Sequence, residues 1–373
     1  MADWHGIEQR SQQLVRGLAA LGHRCSYLSP HLGREFTRPY PFSPRRLATL
    51  IDPRVLELHI HLQREPVFNH RCLDDEEAEA ICDGIQSLLD VTHSASQVVV
   101  VSFPFWVEVA RRLRTDRDMP IVYDCHDLLE GFAEIDDEVI LAEQDLLKAA
   151  DLVVFSAEWL ASEHIARSPD LAGKSMVLRN AVNPAHFDSV FQRGAQRKAC
   201  KTIGYFGSLN TWFDVDAFVT AVREHPEWRF LLVGPSAETF PRQAFDNLAN
   251  VELIGEVPYK DAPIWLAEFD VAVIPFVISP LTMATNPVKL YEYFACGLPV
   301  VSSRLGEVEL YSGLVYLAAT PREFVSQLEA AMDEDDPGKR RARRQVAERE
   351  TWTRRCEVLT QEISRVSHAI GDV

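Results

Sequence analysis

Apolar, β-branched runs alternate with amphipathic helical stretches twice along this chain, the pattern of two parallel α/β units. In the first half, strands are predicted at Cys25–Leu28, Val98–Ser102, Ile121–Asp124, Leu152–Ser156 and Met176–Leu178, and helices at Ile7–Leu21, Asp74–Val91, Val107–Arg114, Asp137–Ala149 and Ala157–Ile165. The second half opens with a strand at Thr202–Phe206 and continues through Phe230–Val233, Val251–Ile254, Val271–Ile274, Val300–Ser302 and Val315–Leu317. The polar stretch Gln192–Lys201 is the best linker. The expectation is two Rossmann-like domains: 1–185, a linker at 186–201, 202–343, and a terminal helix within 344–373.

Composition narrows the partners. A chain of 373 residues with 47% hydrophobic content can bury two ordinary cores. Its 38 basic and 55 acidic residues give a net charge of −17, which argues against nucleic acid as a partner. No apolar run approaches a membrane span and no signal-peptide pattern opens the chain, so a soluble cytoplasmic protein is expected. Seven cysteines, never spaced as C-x-x-C, suggest neither a disulfide framework nor a zinc site.

The segment from Asp270 to Ser303 has the chemistry of an anion site. A buried strand at Val271–Phe276 is followed by a loop and by a helix expected to open at Asn286-Pro287, Asn being a favoured N-cap and Pro a favoured first residue. The positive end of that helix would face the crevice at the carboxyl end of the sheet. Thr285 and Asn286 are expected as caps whose backbone amides also serve an anion. Lys289 and Glu292 lie one turn apart, and Gly297 and Pro299 close the unit.

The run Lys289, Leu290, Glu292, Tyr293, Ala295, Gly297, Pro299, Val300, Val301 resembles the K-[LF]-x-E-[YA]-x-A-x-G-x-P-V-V signature of glycosyltransferase family four, a large retaining group of GT-B fold enzymes. The resemblance implies a nucleotide-sugar donor site: Glu292 on the ribose, and Thr285, Asn286, Pro287, Val288, Lys289 and Leu290 around the diphosphate. Ala284 stands where many relatives carry a second, sugar-contacting glutamate. Asp3–Arg10, Asn180-Ala181-Val182-Asn183 with Phe187, and Gly204–Ser208 with Trp212-Phe213-Asp214 are similar to further family stretches, the last to exopolysaccharide and teichuronic-acid-type transferases. Relatives place a strand before the loop at Asp3, where this chain has Met1-Ala2, so the expectation is either an unfilled place in the first sheet or a true start upstream of Met1. Gly207 and Ser208 occupy a diphosphate-facing turn, but the basic residues usual there are replaced by Asn210 and Trp212. Neutralisation then falls to Lys289, Arg10 or the helix dipole.

In the first domain, Asp124-Cys125-His126-Asp127 is the catalytic candidate. His126 matches a family histidine near the transferred sugar; Asp124 and Asp127 orient it or act as a base, and Asp127 alternatively caps the next helix. Gly6 would let backbone approach a phosphate or sugar. Glu8 and Arg10 read as surface residues, Arg10 with a second reading as a ligand contact. Asp116-Arg117-Asp118 and Asp214-Val215-Asp216 read as solvated carboxylates rather than metal ligands, and no metal is expected. The run Lys339–Arg344 reads as a solvated helix face, and Arg38–Arg46 as a proline-rich loop or a membrane-surface loop. The resemblance implies a metal-independent hexosyltransferase that uses a nucleoside-diphosphate-sugar as donor, needs no cofactor, and acts with retention on a saccharide or lipid-linked acceptor. A nucleotide-sugar epimerase of the same fold and a non-catalytic nucleotide-sugar-binding protein are the alternatives.

Overall fold

The computed structural model describes residues 4, 8–29, 40–43, 46–60, 62, 69–92, 96–194 and 200–371. The chain divides into two compact units, one comprising 1–179 with 352–373 and the other 180–351.

The second unit is a six-stranded sheet. Its strands are β9 (Thr202–Phe206), β10 (Arg229–Val233), β11 (Val251–Gly255), β12 (Val271–Ile274), β13 (Val300–Ser303) and β14 (Val315–Ala318), in the order β11-β10-β9-β12-β13-β14 with every pair parallel. All six follow the predicted runs to within a residue or two; the central β12 and β13, buried throughout, are apolar apart from Ser302 and Ser303, as strands covered on both faces are, while the edge strand β11 stays partly exposed. The order reverses direction between β9 and β12, which is where open sheets of this kind open a crevice. Helices Val215–Glu224 and Pro321–Met332 cover the sheet, the first capped by Asp214, whose carboxylate accepts from the Ala217 amide at 2.9 Å.

The first unit departs from the expected parallel pattern. Four predicted strands, here β5 (Val99–Val101), β6 (Ile121–Cys125), β7 (Leu152–Phe155) and β8 (Ser175–Val177), form one parallel sheet in chain order. The other sheet has the order β1-β4-β3-β2: β1 (Cys25–Leu28) pairs in parallel with β4 (Val55–Ile60), and β2 (Tyr40–Ser43), β3 (Arg46–Asp52) and β4 run antiparallel. The expected loop at 38–46 therefore contributes a strand at Tyr40–Ser43; its other residues, except Arg46, lie outside the described set. The period-2 alternation Val55-Leu56-Glu57-Leu58-His59-Ile60 after the Asp52-Pro53 turn was the available signal. It is obscured because Glu57 and His59 are themselves buried, 3.1 Å apart. Residues 1–3 and 5–7 are outside the described residues, and the expected unfilled strand position before Asp3 lies among them.

The helix expected from Arg344 to Ser367 is instead two, Pro337–Arg349 in the second unit and Trp352–Gly371 in the first. The latter lies on helix Arg10–Ala20, with the Cys356 thiol 3.4 Å from the Leu14 carbonyl. The basic run is likewise no solvated face. Arg343 is fully buried and forks onto Glu334 at 2.6 and 2.7 Å, Arg340 stacks on Phe191, and Arg344 donates to the Pro184 and Ala295 carbonyls at 3.1 and 3.0 Å. These arginines fasten the helix to the body of the unit.

Candidate functional site

In the second unit the site is assembled where β9 and β12 diverge. β9 is followed by Gly207, with φ 147°, and β10 by Gly234, with φ 143°; a Cβ on Gly234 would lie 2.1 Å from the Gly207 carbonyl oxygen. Two backbones thus touch where no side chain fits. Over this turn lies Lys289, the second residue of helix Val288–Cys296, with its amine 5.3 Å from the centre of the Tyr205 ring and 4.9 Å from that of Phe276. A Cβ on Gly207 would come within 2.8 Å of Lys289 Cε. The amine makes no ion pair within 4 Å among the described residues. Burial pushes it down to about 8, Glu292 pulling it upward.

Glu292 follows one turn later and is buried, 5% exposed. Tyr293 is fully buried, and its hydroxyl accepts from the Phe206 amide at 2.9 Å, tying the helix to the end of β9. The Tyr205 hydroxyl donates to the Ser208 carbonyl at 2.7 Å and fixes the turn. Gly207, Ser208, Lys289 and the neighbouring Leu290 are therefore brought to one locality with the helix carrying Glu292.

The caps differ from expectation. The N-cap of helix Val288–Cys296 is Pro287, without a side-chain bond, so its first amides are left open by side chains. Asn286 instead faces the interior: its carbonyl oxygen accepts from the Asn180 amide at 2.9 Å, and its NH2 donates to Tyr291 Oη at 3.1 Å and Glu307 Oε2 at 2.9 Å. Thr285 donates to the Leu281 carbonyl at 2.9 Å. A short preceding helix, Pro280–Met283, takes the capping box, between Ser279 and Thr282, and Ala284 ends it, fully buried. The Asn286 side chain is engaged by these buried groups, Glu307 among them, rather than by capping. Gly297 ends the long helix at φ 74°, as its sequence position required.

In the first unit, Asp124, Cys125, His126 and Asp127 stand at the end of β6. Asp124 is buried and held by Arg10, whose Nε lies 2.9 Å from both carboxylate oxygens and whose Nη2 lies 2.8 Å from Oδ1. Arg10 is thus not a surface residue: at 5% exposure, on the first turn of its helix, it spends its charge on Asp124. Glu8 is the more exposed of the two and pairs with Arg16. His126 Nδ1 donates to the Asp124 carbonyl at 3.1 Å, which leaves Nε2 facing Asp127 Oδ2 at 3.5 Å. Asp127 is crowded by neighbouring protein, which raises its carboxyl, while His126 pulls it down. It caps nothing, the next helical turn, Leu129–Gly131, having Leu128 at its N-cap. Gly6 lies outside the described residues.

Sequence reasoning missed a polar cluster just behind this strand end. Tyr123 donates to Glu143 at 2.6 Å, and Cys125 Sγ lies 3.8 Å from Glu143 Oε1 and 3.9 Å from His164 Nε2. All four are buried; burial lifts Glu143 to about 7, raises the thiol and lowers the imidazole. No spacing signals it, since the residues come from β6 and two helices, Asp137–Ala149 and Glu158–Arg167.

Comparison with known proteins shows what the chain is similar to. Residues 200–334 match the profile of glycosyl transferases group 1. The chain is 25% identical over 252 residues to the "Putative teichuronic acid biosynthesis glycosyltransferase TuaH" of Bacillus subtilis (strain 168), a match spanning 62% of this chain and 64% of that protein. The structure is similar to a sucrose-phosphate synthase from Thermosynechococcus elongatus, with a TM-score of 0.72, 17% identity, and coverage of 96% of this chain and 93% of that one. It is also similar to Anabaena HepE solved in complex with UDP and glucose, with a TM-score of 0.59, 16% identity, and coverage of 76% and 81%. The resemblance read from the sequence and the GT-B fold class are upheld.

Proposed function

We propose that this chain, a group 1 glycosyltransferase of the GT-B fold, transfers a hexose from a nucleoside-diphosphate-sugar to an acceptor hydroxyl in polysaccharide or glycoconjugate biosynthesis. The observation that carries the reading is Lys289: an amine held partly buried between two aromatic rings, over a glycine turn at the sheet's reversal point, with no ion-paired carboxylate within reach among the described residues. Keeping a cation at a helix N-terminus in such surroundings is unfavourable until an anion arrives. A diphosphate on Lys289, the open amides of helix Val288–Cys296 and the Gly207-Ser208 turn satisfies it, with Glu292 gripping the ribose. Asn286 and Thr285 serve by shaping the entry to the helix rather than as ligands.

Transfer breaks the bond between the anomeric carbon and the phosphate oxygen and forms one to the acceptor oxygen, whose proton departs. Positive charge grows on the sugar ring and negative charge on the leaving diphosphate, so preorganised electrostatics supply most of the acceleration. Lys289 and the helix dipole answer the second charge without a metal. His126 is the residue of the first unit assigned to the sugar; Asp127 tunes it. Asp124, locked by Arg10, positions the strand end and is not itself a base, and Arg10 for the same reason is not a phosphate ligand. Retention follows by analogy with the family, and the cytoplasm, where nucleotide-sugars are made, is the working compartment.

The test is release of free nucleoside diphosphate from a panel of nucleotide-sugars, with and without saccharide and lipid-linked acceptors. UDP-sugars come first, because HepE was solved with UDP. Acceptor-dependent release upholds the proposal; binding without turnover supports a non-catalytic binder, and isomerised donor an epimerase.

A further inference from the structure

The cluster behind β6 has the composition and spacing of a metal centre. Cys125 Sγ, Glu143 Oε1 and His164 Nε2 come from three different elements, and the ligand atoms of the three residues all lie within 4.8 Å of one another. At 3.8 and 3.9 Å, the contacts from sulfur are weak as hydrogen bonds. They are close to the edges of a tetrahedron around zinc, which come to about 3.5 Å for Zn–S near 2.3 Å and Zn–N or Zn–O near 2.1 Å. For these two edges a contraction of a few tenths of an ångström suffices, and the third, between Glu143 and His164, lies within 4.8 Å.

Charge points the same way. A thiolate, a carboxylate and a neutral imidazole bring two negative charges to a divalent ion, so the complex is neutral as a whole, the only form a fully enclosed ion tolerates cheaply. Without an ion, the same three groups have only a sulfur atom in common as a poor partner. Mixed thiolate, imidazole and carboxylate donors in tetrahedral spacing select zinc over magnesium or calcium. Tyr123, donating to Glu143 Oε1 at 2.6 Å, holds the carboxylate in place, as groups behind metal ligands do.

We propose that Cys125, Glu143 and His164 bind one zinc-class divalent ion, which pins β6 to helices Asp137–Ala149 and Glu158–Arg167. Cys125 is the immediate neighbour of His126, so the ion fixes the strand end that presents it. The role is positional. The ion takes no part in sugar transfer, and the inference stands whether or not the proposed transfer is right.

The experiment is elemental analysis of the full chain purified without chelators, followed by removal of metal and titration with Co²⁺. Wild type is expected to carry about one equivalent of zinc and to develop, with Co²⁺, a thiolate-to-metal charge-transfer band and intense four-coordinate d–d bands. Cys125→Ala should abolish the charge-transfer band, and His164→Ala should lower metal content at least tenfold. Cys82→Ser, a buried thiol elsewhere in the same unit, should change neither. Should Cys125→Ala fail to fold, the spectrum of wild type decides alone. Folded wild type with no zinc and no thiolate band at saturating Co²⁺ overturns the proposal, as does a band that survives in folded Cys125→Ala.

Discussion

Replacing Lys289 by Met separates the cost of the site from its use. The amine titrates at about 8 in the folded chain against an ordinary 10.5, because burial penalises its charged form. At 1.36 kcal/mol per unit, that difference is worth about 3 kcal/mol. Partial exposure and the attraction of the Tyr205 and Phe276 faces reduce the net cost to about 1–2 kcal/mol. Met keeps the stem's packing without the charge, so Lys289→Met should be more stable than wild type by that amount at pH 7. The sign with pH follows from a folded pKa below the unfolded one. Below pH 8 both states hold the proton and the penalty is complete; between 8 and 10.5 the unfolded chain binds more protons, so wild type gains stability and the gap to the variant closes. Denaturant unfolding at pH 7 and pH 10.5 reads this directly. Adding a nucleoside diphosphate at a hundred times its Kd should stabilise wild type by about 2.7 kcal/mol and the variant far less. A variant no more stable than wild type at pH 7, or a gap that persists at pH 10.5, refutes the electrostatic reasoning; equal stabilisation by the nucleotide refutes the assignment of Lys289 to the diphosphate.

Glu292→Ala should weaken nucleoside diphosphate binding by about 1.5–3 kcal/mol, the range for a hydrogen bond to a charged group, measured by calorimetry. Gly207→Ala forces a side chain into a φ 147° turn and against Lys289 Cε; a stability loss of about 1–3 kcal/mol with a rise in donor KM is expected, and unchanged KM would count against the turn's role. Arg10→Met strands the Asp124 carboxylate and should cost about 3–5 kcal/mol in chemical unfolding, with Arg10→Lys restoring only part because the fork geometry is lost. Asn286→Ala removes the buried bonds to the Asn180 amide, Tyr291 and Glu307, for about 1–3 kcal/mol, without altering nucleotide affinity once the protein is folded.

How much was legible in the sequence differs between the units for a physical reason. Strands β9, β10, β12 and β13 are largely buried and read as apolar runs, and the edge strands β11 and β14 keep enough apolar β-branched residues to be found the same way. In β4 the chain buries Glu57 and His59 beside each other, and a pattern search that equates polar with exposed passes over it. The helix carrying Lys289 and Glu292 was legible because Pro287 and Gly297 punctuate it. What Asn286 does was not, since its partners Asn180 and Glu307 are distant in sequence. The burial of Arg10 was invisible for the same reason, its partner Asp124 lying 114 residues away, whereas Arg343 pairs with Glu334 only nine residues upstream, across a helix boundary that periodicity alone does not resolve. The triad of Cys125, Glu143 and His164 is the extreme case, three residues from separate elements with no spacing to announce them.

The division of the chain has a consequence for how it is made. Residues 180–351 are continuous and can mature as soon as they emerge from the ribosome, whereas the first unit is completed only by helix Trp352–Gly371, made after the whole of the second. The nascent first unit must therefore wait, with the surface of helix Arg10–Ala20 around Leu14 uncovered, until helix Trp352–Gly371 has been made. A chain that stops between Thr351 and Trp352 has its second unit whole and its first unit short of a helix.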